Sequence, residues 1–306
     1  MEACQLITVI GPTASGKTAF AAALADRLHS EVISGDSRQV YRRMNIGTGK
    51  DLDEYRVNGR AVPYHLIDIR EPGTRYNLFE YQRDFFRVYN QMHARGLLPV
   101  LCGGSGLYIE AALRGYRLWD VPQNPSLRAA LEGKSLPELE AILAACKTPH
   151  NRTDADTPRR AIRAIEIETY GKRLAPPQNE YEPLRSLIVG IAVDREIRRE
   201  RISRRLRSRL DDGMTDEVQR LLDAGIPPED LIYYGLEYKY VTQYLTGLLT
   251  HDEMTSQLET AIHRFAKRQM TWFRGMERRG LTVHWMDAAL ATEEKIEITL
   301  NLLHEN

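Results

Sequence analysis

The sequence predicts an α/β fold in which a parallel sheet core, flanked by helices, is interrupted by a small inserted helical domain. Short apolar runs alternate with amphipathic stretches from residue 5 to residue 115, and strands that alternate with helices pair in parallel. The first apolar run leads into a glycine-rich loop with the spacing of a phosphate-binding loop (P-loop). A strand-like run at 187–193 follows a polar, helical stretch, which predicts that the chain returns to the sheet.

The elements of the first part of the core follow from hydrophobic periodicity. Compact apolar runs predict strands, whereas apolar residues three or four positions apart predict helices. A glycine after the last periodic residue marks the end of the longest helix. The predicted order is strand LITVI, helix TAFAAALADRLH, strands EVIS and YHLIDI, helix FEYQRDFFRVYNQMHARG, strand LLPVLCGG and helix GLYIEAALRG.

The composition then changes and indicates an insertion. A loop-like stretch, LWDVPQNPS, precedes two predicted helices, LPELEAILAAC and PRRAIRAIEIETYG, and the proline-rich segment KRLAPPQNEYEP. We therefore place the P-loop core at 1–117 and 186–306 and the inserted helical domain at 118–185. After the returning strand, helices are predicted over 195–224, about 235–247 and 251–279, and the break AGIPPED separates the first two.

Global properties indicate a protein of the cytoplasm with a packed core. The chain has 306 residues, 42% of them hydrophobic, and no apolar run approaches the ~20 residues of a membrane span. No basic region precedes the first apolar run, so we expect no signal peptide. Three widely spaced cysteines fit a reducing compartment and give neither a disulfide framework nor a zinc site.

The charge balance gives one indication of a nucleic-acid partner. The formal net charge is zero, so the whole-chain charge alone predicts no polyanionic ligand. Of the 42 basic residues, however, 34 are arginines. Arginine binds phosphate bidentately and stacks on bases, so this bias favours nucleic acid, although codon usage would explain it equally well.

The motif GPTASGKT points to a bound polyphosphate. Strand, loop and helix follow one another as a P-loop requires, and the glycines let backbone N–H groups close around phosphate oxygens. Lys17 adds a positive charge, and the Thr18 hydroxyl is placed to bind Mg²⁺. The alternative is a chance glycine-rich turn. The predicted diphosphate-binding residues are Gly11, Pro12, Thr13, Ala14, Ser15, Gly16, Lys17 and Thr18.

Two further polar turns follow predicted strands. Asp36 comes after EVIS, and Ser105 comes after LLPVLCGG. Strand carboxyl ends in such sheets face the ligand crevice, so Asp36 is a candidate general base and Ser105 a candidate substrate contact. Both residue types also cap helices, and the spacing leaves that alternative open. Asp68, at the end of YHLIDI, is a poor candidate for the acid of an ATPase, which argues against hydrolysis.

Seven stretches, in order along the chain, give a specific resemblance. They are GPTASGKT, DSRQVYRRMNIGTGK, YHLIDIREP, PVLCGGSGLYIEAAL, TPRRAIRAIEI, DREIRRERISRRL and FAKRQMTWFRG. Together they resemble the tRNA dimethylallyltransferase (tRNA isopentenyltransferase) family. The resemblance implies transfer of a dimethylallyl group from dimethylallyl diphosphate to N6 of adenosine 37 in the anticodon loop of tRNA, with release of diphosphate. The P-loop would then hold dimethylallyl diphosphate with Mg²⁺, in place of ATP.

The resemblance also assigns roles to individual residues. Asp36 matches the general base of the family, and Ser105 stands where the family usually has threonine and keeps the hydroxyl. The residues that match tRNA-contacting segments are Asp36, Ser37, Arg38, Gln39, Arg159, Arg160, Ala161, Ile162 and Arg163.

The arginine-dense stretch 195–209 predicts a helix that contacts phosphate. It carries eight arginines, with Arg201 and Arg205 on one helical face and Ile202, Leu206 and Leu210 on another. Contact with tRNA or diphosphate is favoured over a solvated face. The segment YYGLEYKYV (233–241) departs from the Gly-Tyr-Arg/Lys-Glu of the family, so no tRNA contact is carried over there.

Three other functions remain as alternatives. A prenyltransferase acting on a free adenine nucleotide would not need the inserted arginines. A P-loop kinase of small metabolites would release ADP, and a non-catalytic RNA-binding module would not need an intact Lys17 and Thr18. For the favoured enzyme we expect a monomer in the cytoplasm, without membrane association.

Overall fold

The computed structural model describes residues 4–146, 157–171 and 181–305. Its strands are β1 (Leu6–Ile10), β2 (Val32–Ser34), β3 (Arg56–Val57), β4 (Arg60–Ala61), β5 (Tyr64–His65), β6 (Val100–Gly103), β7 (Ser186–Ala192) and β8 (His284–Asp287). Its helices are α1 (Lys17–Arg27), α2 (Leu78–Ala94), α3 (Gly106–Arg114), α4 (Pro125–Leu131), α5 (Leu136–Cys146), α6 (Pro158–Gly171), α7 (Arg195–Asp211), α8 (Met214–Asp223), α9 (Pro228–Tyr233), α10 (Leu236–Leu245), α11 (His251–Arg278) and α12 (Thr292–Glu305).

The predicted parallel sheet is confirmed. Six strands run in the order β5-β2-β6-β1-β7-β8, and every pair of neighbours is parallel. Strand β1 is completely buried at the centre, and the core beneath it is built from α1, α12 and the adjoining strands. Strands β3 and β4 form a separate antiparallel ribbon. Among the described residues, no helix is both long and apolar enough to cross a membrane.

The chain divides into two compact units, Met1–Gly115 with Glu182–Asn306 and Tyr116–Tyr181. The second unit has its own small core of buried aliphatic residues: Leu131, Leu139, Leu143, Ala161 and Ile165. Most of the predicted proline-rich segment, residues 172–180, lies outside the described residues.

Several predicted boundaries are wrong for identifiable reasons. The strand predicted over 64–69 ends at His65, because Leu66 turns the chain with a φ of 63°. The helix predicted over 195–224 is two helices, since Gly213 adopts a φ of 91° between them. A helix begins at Pro125 inside the predicted loop, capped by Asn124, whose side chain accepts a hydrogen bond from the N–H of Leu127.

The last part of the core adds elements that the sequence did not predict. Helix α9 forms within the predicted break, with proline in its first turn. Strand β8 adds the final strand beside β7. Helix α12 then packs against α1. The cysteines Cys4, Cys102 and Cys146 are all free.

Candidate active site

The strand order places three polar turns side by side at the carboxyl edge of the sheet. Strands β2, β6 and β1 are consecutive neighbours, so the segments that follow them, 35–39, 104–106 and 11–16, meet at this edge. Glycine permits the closest approach, because a Cβ atom on Gly103 would lie 2.3 Å from the carbonyl oxygen of Gly35.

The P-loop wraps tightly between β1 and α1. Gly16 has a φ of 80°, a left-handed conformation that glycine adopts without strain. Ser15 is 3% exposed, and within the described part of the chain its hydroxyl has no hydrogen-bond partner. Lys17 Nζ donates a long hydrogen bond of 3.4 Å to the carbonyl oxygen of Pro12. A buried, unpartnered hydroxyl beside a weakly bonded ammonium is an arrangement that a bound anion would satisfy.

Charged side chains surround the loop. Burial lowers the pKa of Lys17, and the neighbouring Arg205 acts in the same direction, against the carboxylates of Asp36 and Glu54. Burial raises the pKa of Glu54, and Asp51 adds to that shift. The loop is therefore lined by the Lys17 ammonium and the Glu54 carboxyl, whose pKa values burial shifts in opposite directions.

Two arginines of α7 lie next to Asp51, one of these charged residues. The guanidinium nitrogens Nη2 of Arg205 and Arg209 lie 3.5 Å and 3.7 Å from the carboxylate oxygens of Asp51. Arg205 Nε and Arg209 Nη2 are buried without a hydrogen-bond partner among the described residues. Arg201 faces other surroundings, since its charge acts on Lys295 of α12. Of the two predicted arginines, Arg201 and Arg205, Arg205 alone is thus shown to lie beside Lys17.

Asp36 performs the capping role, one of the two roles that the sequence left open. Its Oδ1 accepts hydrogen bonds from the backbone N–H groups of Arg38 and Gln39, at 2.8 Å and 3.4 Å, so it caps the turn. Its Oδ2 makes no hydrogen bond within the described part of the chain.

Ser105 supports this turn from the neighbouring strand. Its Oγ accepts a hydrogen bond from the backbone N–H of Ser37 at 3.1 Å and donates one to Ser37 Oγ at 3.3 Å. Gln39 ties the same turn to the following loop, because its Nε2 donates to the carbonyl oxygen of Gly49 at 3.0 Å. The hydroxyl of Ser105 therefore acts on the segment that carries Asp36.

Helix α11 holds the P-loop in place through the side chain of Gln269. Gln269 Oε1 accepts a hydrogen bond from the N–H of Thr13 at 2.9 Å, and its Nε2 donates to the carbonyl oxygen of Gly104 at 3.0 Å. One buried amide therefore links the P-loop to the turn that carries Ser105. The sequence did not predict a role for Gln269, although this residue lies within the matching stretch FAKRQMTWFRG.

A second brace holds the loop that follows Arg38. Glu217 of α8 is 4% exposed, and its two carboxylate oxygens accept hydrogen bonds from the N–H groups of Asn45, Ile46 and Gly47 at 2.7–3.1 Å. Tyr238 of α10 donates its hydroxyl to the same carboxylate at 2.6 Å. The divergent segment 233–241 therefore supports the core of this unit through Tyr238.

Asp68, a poor candidate for the acid of an ATPase, has a structural task. Its carboxylate forms a short ion pair with Lys50, whose side chain is completely buried. Lys50 also donates to the carbonyl oxygen of Tyr41 and to Asn45 Oδ1. Asp68 therefore holds Lys50 and the loops around it.

The five residues predicted in the inserted unit have different environments. Arg159 and Arg160 are exposed at the start of α6. Ala161 is completely buried, and Ile162 packs against the core of this unit. Arg163 donates to Glu166 Oε2 and to the carbonyl oxygen of Val121, both at 2.7 Å. Ala161 and Ile162 thus build the helix that presents the arginines.

Comparisons with known proteins identify the family of the chain. The family model for IPP transferase matches residues 39–276, and the model for isopentenyl transferase matches residues 4–62. A tRNA dimethylallyltransferase 1 from Parabacteroides distasonis is 66% identical over 304 residues, which cover 99% of both chains. The chain belongs to the tRNA isopentenyltransferase family. A tRNA dimethylallyltransferase 2 from Bacteroides fragilis is 62% identical over 301 residues, or 98% of both chains.

Solved structures of the tRNA isopentenyltransferase family share the fold. The full-length tRNA isopentenylpyrophosphate transferase from Bacillus halodurans is 34% identical, with a TM-score of 0.70 over 98% of this chain and 97% of that one. A eukaryotic dimethylallyltransferase acting on tRNA has a TM-score of 0.78 over 99% of this chain and 80% of that one. At 20% identity, the latter likeness concerns the fold alone.

Proposed function

We propose that the chain transfers the dimethylallyl group of dimethylallyl diphosphate to N6 of adenosine 37 in the anticodon loop of tRNA and releases diphosphate. This proposal rests on one observation: an anion-binding loop and a carboxylate lie side by side at the same edge of the sheet. An anion-binding loop with Lys17 lies beside a turn that presents the free Oδ2 of Asp36. The names of relatives that are 60–66% identical over nearly the whole chain support the two substrates.

The residues of the site match the needs of this reaction. The bond between the allylic carbon and the diphosphate oxygen breaks while a bond from N6 to that carbon forms. Lys17, the Ser15 hydroxyl and the N–H groups of the loop stabilise the charge that builds on the leaving diphosphate. The amine of adenine is a weak nucleophile because its lone pair is delocalised into the ring, so transfer of its proton to Asp36 assists the attack.

Thr18 and Glu54 are the residues that would hold a magnesium ion. Mg²⁺ is commonly bound by one or two protein oxygens together with phosphate oxygens of the substrate. Glu54 lies beside the Thr18 hydroxyl, and across the described ranges no group of three or more His, Cys, Asp or Glu side chains is arranged so that it could hold a metal ion. This donor set fits an ion that arrives with the diphosphate, and the ion would neutralise charge on the leaving group.

The RNA substrate would engage both units of the chain. The exposed Arg159 and Arg160 supply phosphate contacts for the anticodon stem, and Arg163 orders the helix that carries them. Arg38 and Gln39 supply contacts next to the target base. An anticodon loop is already unpaired, so bringing its adenine to Asp36 costs only a few kcal/mol. We expect the enzyme to act as a monomer in the cytoplasm.

Product analysis tests the substrate class. The protein is incubated with Mg²⁺, radiolabelled dimethylallyl diphosphate and unmodified tRNA that has adenosine at position 37, with AMP in a parallel tube. Label on adenosine 37 alone is the expected result. Label on AMP would assign the chain to nucleotide prenylation. If no label is transferred to either acceptor and ADP forms once ATP is supplied, the chain is a kinase.

The variant Asp36→Asn tests the general base. Asparagine keeps an oxygen that can cap the turn but cannot take a proton, so we expect kcat to fall by roughly 10²–10⁴-fold with the KM for tRNA unchanged. Asp53→Asn, an exposed residue of the same unit, is the matched control. Activity of Asp36→Asn within a few-fold of the control would show that Asp36 is not the base.

A further inference from the structure

The divergent segment at 233–241 begins with a tyrosine that gathers two arginines. The guanidinium carbon of Arg38 lies 5.1 Å from the centroid of the Tyr233 ring, and that of Arg75 lies 4.9 Å from it. Both distances fall within the range of cation–π contacts. Helix α9, which the sequence did not predict, carries this tyrosine.

The positions of these arginines are fixed by their neighbours. Tyr234 donates its hydroxyl to the carbonyl oxygen of Thr74 and accepts a hydrogen bond from the N–H of Gly73, both at 2.7 Å. On the other side of Arg75, the N–H of Tyr76 donates to the hydroxyl of Tyr41 at 3.0 Å. The backbone around Arg75 is therefore pinned on both sides. Arg38 is held because its N–H donates to Asp36.

Two guanidiniums meet at the Tyr233 ring, and one of them has a directly paired carboxylate. Two guanidiniums share one ring, and Asp230 Oδ1 lies 3.6 Å from Arg75 Nη2, with the arginine side chain still 50% exposed. An exposed ion pair of this kind is weak, so the ion pair would cost little to rearrange.

We propose that Arg75 and Tyr233, together with Arg38, form a binding site for the ribose-phosphate backbone of the nucleotide next to the target adenosine. Guanidinium groups bind phosphate oxygens bidentately and stack on bases, and Tyr233 orients two of them at once. These three residues lie near the target base, because Arg38 is two residues from Asp36, where that base must arrive. This proposal rests on the proposed RNA substrate and deepens it.

The variant Arg75→Gln measures the contact. One lost phosphate contact should raise the KM for tRNA about five- to tenfold and reduce the slope of log affinity against log salt by about 1. The KM for dimethylallyl diphosphate should stay at its wild-type value, which separates RNA backbone from diphosphate as the bound phosphate. Arg87→Gln removes an exposed arginine of α2 and is the control.

The tyrosine is tested in parallel. Tyr233→Leu removes the ring, so both arginines lose their common support, and we expect a severalfold rise in the KM for tRNA. Tyr233→Phe keeps the ring and should lose much less. An equal loss in both variants would contradict a role for the ring face.

Direct binding separates this inference from the proposed reaction. A fluorescent anticodon stem-loop is titrated with wild type, Arg75→Gln and Arg87→Gln at several salt concentrations, without dimethylallyl diphosphate. Weaker binding and a smaller salt slope for Arg75→Gln support the site even if wild type transfers no label. Identical curves for the two variants would overturn the inference, even if transfer to tRNA is confirmed.

Discussion

Gln269 shows how a single neutral side chain can join two parts of a site. Its amide accepts from the P-loop with one end and donates to the turn after β6 with the other. A neutral group does this without adding charge beside Lys17, so the loop keeps its attraction for an anion. The residue is 7% exposed, so water cannot replace these bonds easily.

The variant Gln269→Leu tests this bridge. Leucine keeps most of the volume but leaves the N–H of Thr13 and the carbonyl of Gly104 unpaired, which costs about 1–3 kcal/mol for each buried group. We expect lower thermal stability and a higher KM for dimethylallyl diphosphate. The exposed Gln219 gives a control, Gln219→Leu. An unchanged KM beside reduced stability would restrict Gln269 to a purely structural role.

At the residue scale, the sequence predicted the groups that lie within local motifs. Lys17, Thr18 and Asp36 could be found because strand, loop and helix signals surround them within a few residues. Gln269 could not be assigned its partner, because 256 residues separate it from Thr13. Glu54 was missed because its position beside Thr18 depends on how the short 3₁₀ helix Leu52–Tyr55 packs against α1.

At the scale of elements, α8 and α10 stabilise the loop after the Asp36 turn. Glu217 receives three backbone N–H groups and the Tyr238 hydroxyl. A carboxylate offers four acceptor sites, so all four donors are satisfied. The loop that lies between Arg38 and Lys50 is therefore held by residues far away in sequence.

Replacing Glu217 by glutamine should break this arrangement. The amide offers one oxygen and an NH₂ group that faces other donors, so two or more hydrogen bonds are lost. We expect a loss of about 2–4 kcal/mol in the free energy of unfolding, measured by urea denaturation. Tyr238→Phe removes one donor only and should cost about 1 kcal/mol. Glu229→Gln, at an exposed position, should be neutral, and equal stabilities for all three variants would contradict the role of Glu217.

Most strands and helices were predicted correctly, and the errors have local causes. The strand at 64–69 was overextended because apolar character does not reveal the left-handed turn at Leu66. Helix α9 was missed because paired prolines resemble a loop, although proline fits the first turn of a helix. Such choices depend on tertiary contacts, here those between α9 and α10.

At the scale of the whole molecule, the inserted unit has an ionic centre of its own. Glu166 is almost fully buried and accepts hydrogen bonds from Arg128, Arg163 and the N–H of Asn124. Burial alone would raise the pKa of this carboxyl, but the hydrogen bonds outweigh it and lower the pKa to about 2.

The stability of this unit should therefore depend on pH. Because the pKa of Glu166 in the folded state lies below its unfolded value, its contribution is complete above about pH 5. It is lost as the pH falls toward 2, and a shift of this size corresponds to roughly 3 kcal/mol. Hydrogen exchange of α5 and α6 amides in the full chain, at pH 7 and near pH 3.5, measures the change after correction for intrinsic rates.

The control variants separate Glu166 from other acids. Glu166→Gln should be less stable at pH 7 and should show a weaker dependence on pH. Glu132→Gln changes an exposed carboxylate in the same unit and should keep the wild-type dependence. If the two variants respond alike, the ionic centre does not set the acid stability of this unit.

The position of Gln269 near the end of the chain has a consequence for synthesis on the ribosome. The P-loop is made 256 residues before Gln269, so the contact that holds it forms only when α11 has left the exit tunnel. A nascent chain that stops before residue 269 carries every residue of the glycine-rich motif but leaves the N–H of Thr13 and the carbonyl of Gly104 without this partner. The binding loop is therefore completed late, and truncated translation products lack its final support.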